Sequence, residues 1–332
     1  MRRFIQHTLI FLIPIGTLFL CYLVLDPFKV IHHYERYYIK GDGGPVNRNY
    51  VSTMTYIQQY EQYHYNSFIF GNSRSLFYFI DDWKKHLNSQ SRCYHFSESG
   101  GSVNGLYYKV KLIDRLGEKI DNALFIIDYQ LLKSTEQHGA LGVMPPILTE
   151  NRNWISFHTD HLINWFNPMF LYFYAQYQMT GVYSNAMKNY IVSGNNYEYY
   201  NLITNEEPRH KQDSLIAEGS YYTKSILKDF VGCQNRGVAP ISIDAERKES
   251  LVKMNSILLR HHSKVKIVVS PLFDQVKLNP DDYQVLCEIF GKENVYDFSG
   301  INKWTKDPHN YYEHSHYRPS VAAEIMDSIY KP

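Results

Sequence analysis

Ser67-Phe68-Ile69-Phe70-Gly71-Asn72-Ser73-Arg74-Ser75 sets a short β-favouring run against a glycine and a cluster of cap-forming residues. An apolar run that stops at Gly-Asn-Ser reads as a buried strand turning directly into a helix. The same rhythm returns along the chain. Strands are expected at 67–70 (SFIF), 93–96 (CYHF), 123–127 (ALFII), 265–269 (VKIVV) and 294–298 (NVYDF), with helices at 75–87, 104–116, 244–262, 280–290 and 318–330. ALFII and VKIVV are near-continuous apolar runs, as in strands covered on both faces of a parallel sheet. The expected fold is α/β, a three-layer parallel sheet whose ligands sit at the carboxyl ends of the strands.

Between residue 131 and about residue 240 the rhythm fails. That segment opens with a loop containing Gly139, Gly142, Pro145 and Pro146, continues through an aromatic run at 165–177, and ends in an Asn/Tyr-rich stretch at 193–207. It reads as a mostly helical insertion at 131–240 that splits the sheet domain into halves at 63–130 and 241–332. The aromatic run reads first as core packing, and second as a membrane or partner contact. Residues 26–62 read as a polar, Tyr-rich tether with Gly41, Gly43 and Gly44.

Residues 8–25 (TLIFLIPIGTLFLCYLVL) carry no charge, and at 1.5 Å per residue they reach roughly 27 Å, the thickness of a hydrocarbon core. Arg2 and Arg3 precede them, so the positive-inside rule predicts a cytoplasmic N-terminus and an extracytoplasmic chain after Asp26. No small-x-small site precedes Asp26-Pro27, which favours an uncleaved anchor over a cleaved signal peptide. The mean hydropathy of -0.39 excludes a polytopic membrane protein. Lys+Arg (34) nearly cancels Asp+Glu (33), so the basic footprint of nucleic-acid binding is missing. Hydrophobic residues make up 44% and charged ones 20%, which excludes a mainly disordered chain. Cys93, Cys233 and Cys287, outside the apolar segment, lack zinc spacing; they read as small buried hydrophobes with room for one disulfide. No metal or cofactor is expected.

Two stretches carry chemistry. Gly71 permits a tight turn, and Ser73 at a strand-to-helix turn places its hydroxyl at the sheet's carboxyl edge. Far along the chain, Glu313 and His316 are spaced so that the carboxylate can hold one ring nitrogen while the other faces a hydroxyl. His314 is the rival base. Glu313, His314 and His316 with Asp307 or His309 form a lower-ranked metal alternative. The pairs His32-His33 and His261-His262 read as surface residues.

Together these stretches resemble one family. Gly71-Asn72-Ser73-Arg74-Ser75 is similar to the N-terminal Gly-Asp-Ser block of the SGNH/GDSL hydrolases, and Glu313-His314-Ser315-His316 to their C-terminal Asp-x-x-His block. Residues 97–105 (SESGGSVNG) resemble the family's glycine block. The resemblance implies a flavodoxin-like sheet, Ser73 as nucleophile, His316 as base and Glu313 as the acid. It also implies an oxyanion hole from the N–H groups of Ser73 and Gly100 or Gly101, with Asn104 or Gln130 as side-chain donors. Arg74 and Asp128 are candidate substrate contacts. Asn72 departs from the family's Asp, and the usual Gly-x-Asn-Asp block gives way to Ile127-Asp128-Tyr129-Gln130.

The apolar N-terminus and the insertion resemble the membrane-anchored branch that holds the D-alanyl-lipoteichoic acid transfer and alginate O-acetylation proteins. That likeness implies a single-pass esterase or O-acyltransferase acting through acyl-Ser73 on cell-envelope polysaccharide. Its partners would be an acyl donor or acylated glycan and a membrane-bound O-acyltransferase. The alternative is a non-catalytic scaffold or polymer-binding partner of such an acyltransferase.

Overall fold

The apolar runs form five parallel strands, β1 (Ser67–Gly71), β2 (Cys93–Ser97), β3 (Asn122–Ile127), β4 (Lys264–Val269) and β5 (Val295–Asp297), in the order β2-β1-β3-β4-β5. A short antiparallel pair follows, β6 (Tyr311–Glu313) and β7 (His316–Tyr317). The structure is a computed structural model and describes residues 1–39, 46–135, 139–149, 154–191 and 199–331. Gly41, Gly43 and Gly44 of the expected tether, and residues 193–198 of the Asn/Tyr-rich stretch, lie outside these.

The helices are α1 (Arg2–Leu25), α2 (Arg48–Tyr63), α3 (Ile80–Lys84), α4 (Val103–Arg115), α5 (Tyr129–Lys133) and α6 (Trp154–Trp165). Then come α7 (Pro168–Thr180), α8 (His210–Ala217), α9 (Lys224–Lys228), α10 (Ala245–Arg260), α11 (Pro280–Phe290) and α12 (Pro319–Tyr330). The single helix expected at 75–87 is broken. A 3₁₀ turn at Ser73–Phe77 comes first, and α3 starts three residues after it. α2 occupies much of the expected tether.

The chain divides into two compact units, one of residues 1–51 with 138–198 and one of residues 52–137 with 199–332. This moves the expected boundaries: residues 199–240 group with the sheet rather than with the insertion, and 26–51 group with what remains of the insertion. The reason is visible in the hydrogen bonds of the second unit. The Asn205 amide donates to the His95 carbonyl at 2.7 Å, and the Tyr221 and Tyr222 hydroxyls donate to the Tyr312 and Tyr311 carbonyls at 2.9 Å each.

In the sheet unit, strand alternation sorts side chains between two faces. On one, Ile69, Leu124, Ile126 and Val268 join Trp83 of α3 and Val321, Ile325 and Ile329 of α12 in a buried cluster. On the other, Phe70 stacks on Phe125 with ring centroids 4.9 Å apart, and Tyr56 of α2 packs against Phe68 and Phe96. The strand order reverses direction between β1 and β3, where open α/β sheets form a ligand crevice at the carboxyl edge.

In the other unit, α1 is long and apolar enough to cross a membrane. Asp26 ends it in a left-handed conformation (φ 40°). Its buried carboxylate accepts the N–H groups of Val30, Ile31 and His32 at 2.8–2.9 Å, which folds the following chain tightly around the helix end. Cys21, Cys93, Cys233 and Cys287 are all free thiols. Burial pushes the Cys93 thiol up to about 12, as suits a core residue rather than a reactive one.

Candidate active site

Gly71 closes β1 because nothing larger fits. A Cβ there would lie 2.6 Å from the Ile126 carbonyl oxygen and 2.8 Å from Ser75 Cβ. Asn72 then caps the 3₁₀ turn, its side-chain oxygen accepting the Arg74 N–H at 3.0 Å. Ser73 opens that turn, so its own N–H is among the start-of-helix donors that have no partner within the helix. It remains half-buried, whereas Ser75 is fully enclosed.

The C-terminal block is a hairpin rather than an open loop. β6 and β7 pair Glu313 directly with His316 across the two-residue turn His314-Ser315. Cross-strand neighbours have adjacent side chains, so the spacing Glu-x-x-His is a consequence of strand pairing. Glu313 hydrogen-bonds the Nδ1 of His316, and its second oxygen accepts the Ser315 N–H at 2.8 Å. A carboxylate at Nδ1 requires a proton there, which leaves Nε2 as the acceptor facing Ser73 Oγ at 2.8 Å.

Burial and the charges of the site set its proton affinities. For His316, burial disfavours the charged form, Glu313 offsets part of this, and Arg209 and Arg74 add to it, so the imidazole sits below its ordinary value. For Glu313, burial acts upward but is outweighed by His316, the Ser315 N–H and Arg209, so the carboxyl stays below its usual range. A neutral base beside an ionised acid is the protonation state that general-base catalysis needs.

Arg74, a candidate substrate contact, is largely buried. Its guanidinium donates to Asp128 Oδ2 at 2.9 Å, to Gln130 Oε1 at 2.7 Å and to the Ser315 carbonyl at 3.2 Å. One side chain thus ties the Ser73 turn to the end of β3 and to the tip of the β6–β7 hairpin. Asp128 is only 1% exposed and is also spent internally: it caps α5 through the Gln130 and Leu131 N–H groups and accepts the Asn72 amide at 2.8 Å.

The Asn72–Asp128 contact predicts the effect of placing an acid at position 72. Asn72→Asp places two carboxylates against each other in a buried site, which raises the pKa of one of them. A raised carboxyl pKa removes stability as pH rises, so the loss in thermal midpoint should grow from about pH 5 to about pH 8. Adding Asp128→Asn should restore the wild-type profile. A pH-independent loss in the single variant would show that the two side chains do not share a proton.

The glycine segment lies at the carboxyl edge beside β1. Gly100 and Gly101 adopt φ of 79° and 74°, conformations that favour glycine. Gly101 spends its N–H on the Ser99 carbonyl at 3.1 Å, whereas among the described residues no acceptor takes that of Gly100. Beneath them, the buried Glu98 carboxylate pairs with the Lys109 ammonium at 3.0 Å, and a Cβ on Gly101 would come within 2.6 Å of Glu98 Oε1. This ion pair, absent from the sequence reading, shapes the loop.

Asn104 is not brought to the site. The helical period of α4 turns it toward α10, where its amide donates to Glu246 at 3.3 Å and its carbonyl accepts from Ser250 Oγ at 2.7 Å. Gln130 instead lines a cavity of about 330 Å³ with Arg74, Tyr129, Asp274, His314 and Ser315. His314 is exposed on that rim, while His316 holds the contact to Ser73. Asp307 is occupied by the His309 ring at 2.8 Å, and among the described residues no three His, Cys, Asp or Glu side chains converge as metal ligands.

The sequence reading also missed a second, fully buried Ser–His pair. Ser75 Oγ donates to the Asn72 carbonyl at 2.7 Å and lies 2.8 Å from His95 Nε2, which braces the turn from behind. Family models and curated proteins, compared with the chain, return no match.

Proposed function

We propose that the chain is a membrane-anchored, extracytoplasmic serine acyl esterase or O-acyltransferase of the SGNH type, acting on cell-envelope polysaccharide or related acyl esters. The observation that carries this is the contact of Ser73 Oγ with His316 Nε2 at 2.8 Å, made across 243 residues of chain and backed by Glu313. The five-stranded order and the membrane-length α1 agree with it. In this reading Ser73 Oγ attacks the acyl carbonyl as His316 Nε2 takes its proton. The N–H groups of Ser73 and Gly100 stabilise the tetrahedral oxyanion. His316 then returns the proton to the departing alkoxide, leaving acyl-Ser73, which water or a glycan hydroxyl resolves. Asp128, directly after β3, places a buried carboxylate beside position 72, where the family has Asp.

A second reading is a non-catalytic scaffold or polymer-binding partner of a membrane-bound O-acyltransferase. It is favoured by one finding: the amides of Asn72 and Asn104 are both committed elsewhere, so neither serves as a side-chain oxyanion donor. Hydrolysis of p-nitrophenyl acetate by the full-length chain separates the two. The enzyme reading predicts a rate lowered about 10⁴-fold or more by Ser73→Ala. It also predicts a kcat/KM that rises with pH through an apparent pKa below the ordinary histidine value of about 6.5, since neutral His316 is the active form. Equal rates for wild type and Ser73→Ala would favour the scaffold.

A further inference from the structure

α6 and α7 are apolar on more sides than the fold uses. Across residues 154–180 the one residue of formal charge is Asp160. Phe157, His161 and Trp165 of α6 and Phe170, Phe173 and Tyr177 of α7 are buried. Yet Ile155, Ile163 and Phe166 are 79%, 67% and 37% exposed, and Met169, Tyr172 and Met179 are 45%, 60% and 80% exposed. Apolar side chains left open by the fold on this scale are covered either by a protein partner or by lipid.

The contact with α1 decides between these. The Trp165 indole N–H donates to the Leu18 carbonyl at 2.9 Å, the Tyr22 ring packs on Trp165, and Phe28 stacks on Phe170 with centroids 5.2 Å apart. Leu18 lies seven residues before the end of α1 at Leu25, about 10 Å down the helix axis. A bilayer that takes in the apolar length of α1 therefore reaches the corner where α6 meets α7. Interfacial helices sit at about this depth, roughly 5–10 Å into the boundary between headgroups and acyl chains, with Trp and Tyr at the same level.

We propose that the α6–α7 pair is embedded in the bilayer interface alongside α1, with Ile163, Phe166 and Met169 against lipid acyl chains. This rests on α1 spanning a membrane, and it is independent of the chemistry at Ser73.

The test is photolabelling of the full-length chain in phosphatidylcholine vesicles carrying a diazirine-acyl phospholipid, with labelled peptides mapped by mass spectrometry. Label is expected in both 3–25 and 154–180. A double variant, Ile163→Asn with Phe166→Asn, should lower the 154–180 label severalfold and leave that of 3–25 unchanged. Label on 3–25 alone in the wild type overturns the proposal and is the result expected if a protein partner covers this face. An unchanged 154–180 label in the double variant overturns the assigned face. Absence of label from 3–25 overturns the span itself, and the proposal with it.

Discussion

His316→Asn should lower kcat for ester turnover by about 10⁴-fold, with the folded structure retained. Asparagine has no basic nitrogen at neutral pH, so Ser73 Oγ loses the acceptor that takes its proton at 2.8 Å. The fold should tolerate the change because the group left behind is not stranded. Glu313 is 36% exposed and still accepts the Ser315 N–H. Circular dichroism and a thermal melt beside the rate measurement separate chemistry from folding. Turnover within tenfold of wild type would remove His316 as the base and leave His314, on the rim of the neighbouring cavity, as the next group to examine.

Arg74→Met should cost stability on a scale of about 3–5 kcal/mol, read as a lowered urea midpoint, because it leaves the Asp128 carboxylate buried without its cation. Arg74→Lys should recover only part of the loss. An ammonium cannot reproduce the planar fork that serves Asp128, Gln130 and the Ser315 carbonyl together. The double variant Arg74→Met with Asp128→Asn should be more stable than Arg74→Met alone, since the unpaired charge is then gone. The proposed ester turnover should fall in both Arg74 single variants, because the same guanidinium fixes the β6–β7 hairpin relative to the Ser73 turn. An unchanged midpoint in Arg74→Met would mean that the ion pair organises nothing.

What could be read from the sequence follows from how each feature is encoded. The strands were legible because burial on both faces demands continuous apolar runs, and ALFII and VKIVV are such runs. Ser73, Glu313 and His316 were legible as motifs, although the reason for the last spacing was not. The turn His314-Ser315 lacks the Asn-Gly type of hairpin signal, so the strand pairing that joins Glu313 to His316 was hidden. α2 reads as tether in the sequence because its buried residues include Ser52, Thr53, Thr55 and Tyr56, which hydropathy scores as polar. The roles of Arg74 and Asp128 depend on partners 54 or more residues away, and no local pattern announces such contacts. Asn104 misled for the opposite reason: its place near the glycines in sequence says nothing about which way α4 turns it.

The most direct measurement of the central claim is the site of attachment of a fluorophosphonate to the full-length chain. The probe reacts with a serine activated by a neighbouring base. A single adduct is expected on the peptide containing Ser73, lost in Ser73→Ala and strongly slowed in His316→Asn. No adduct, or an adduct carried equally by the Ser73→Ala chain, would contradict it.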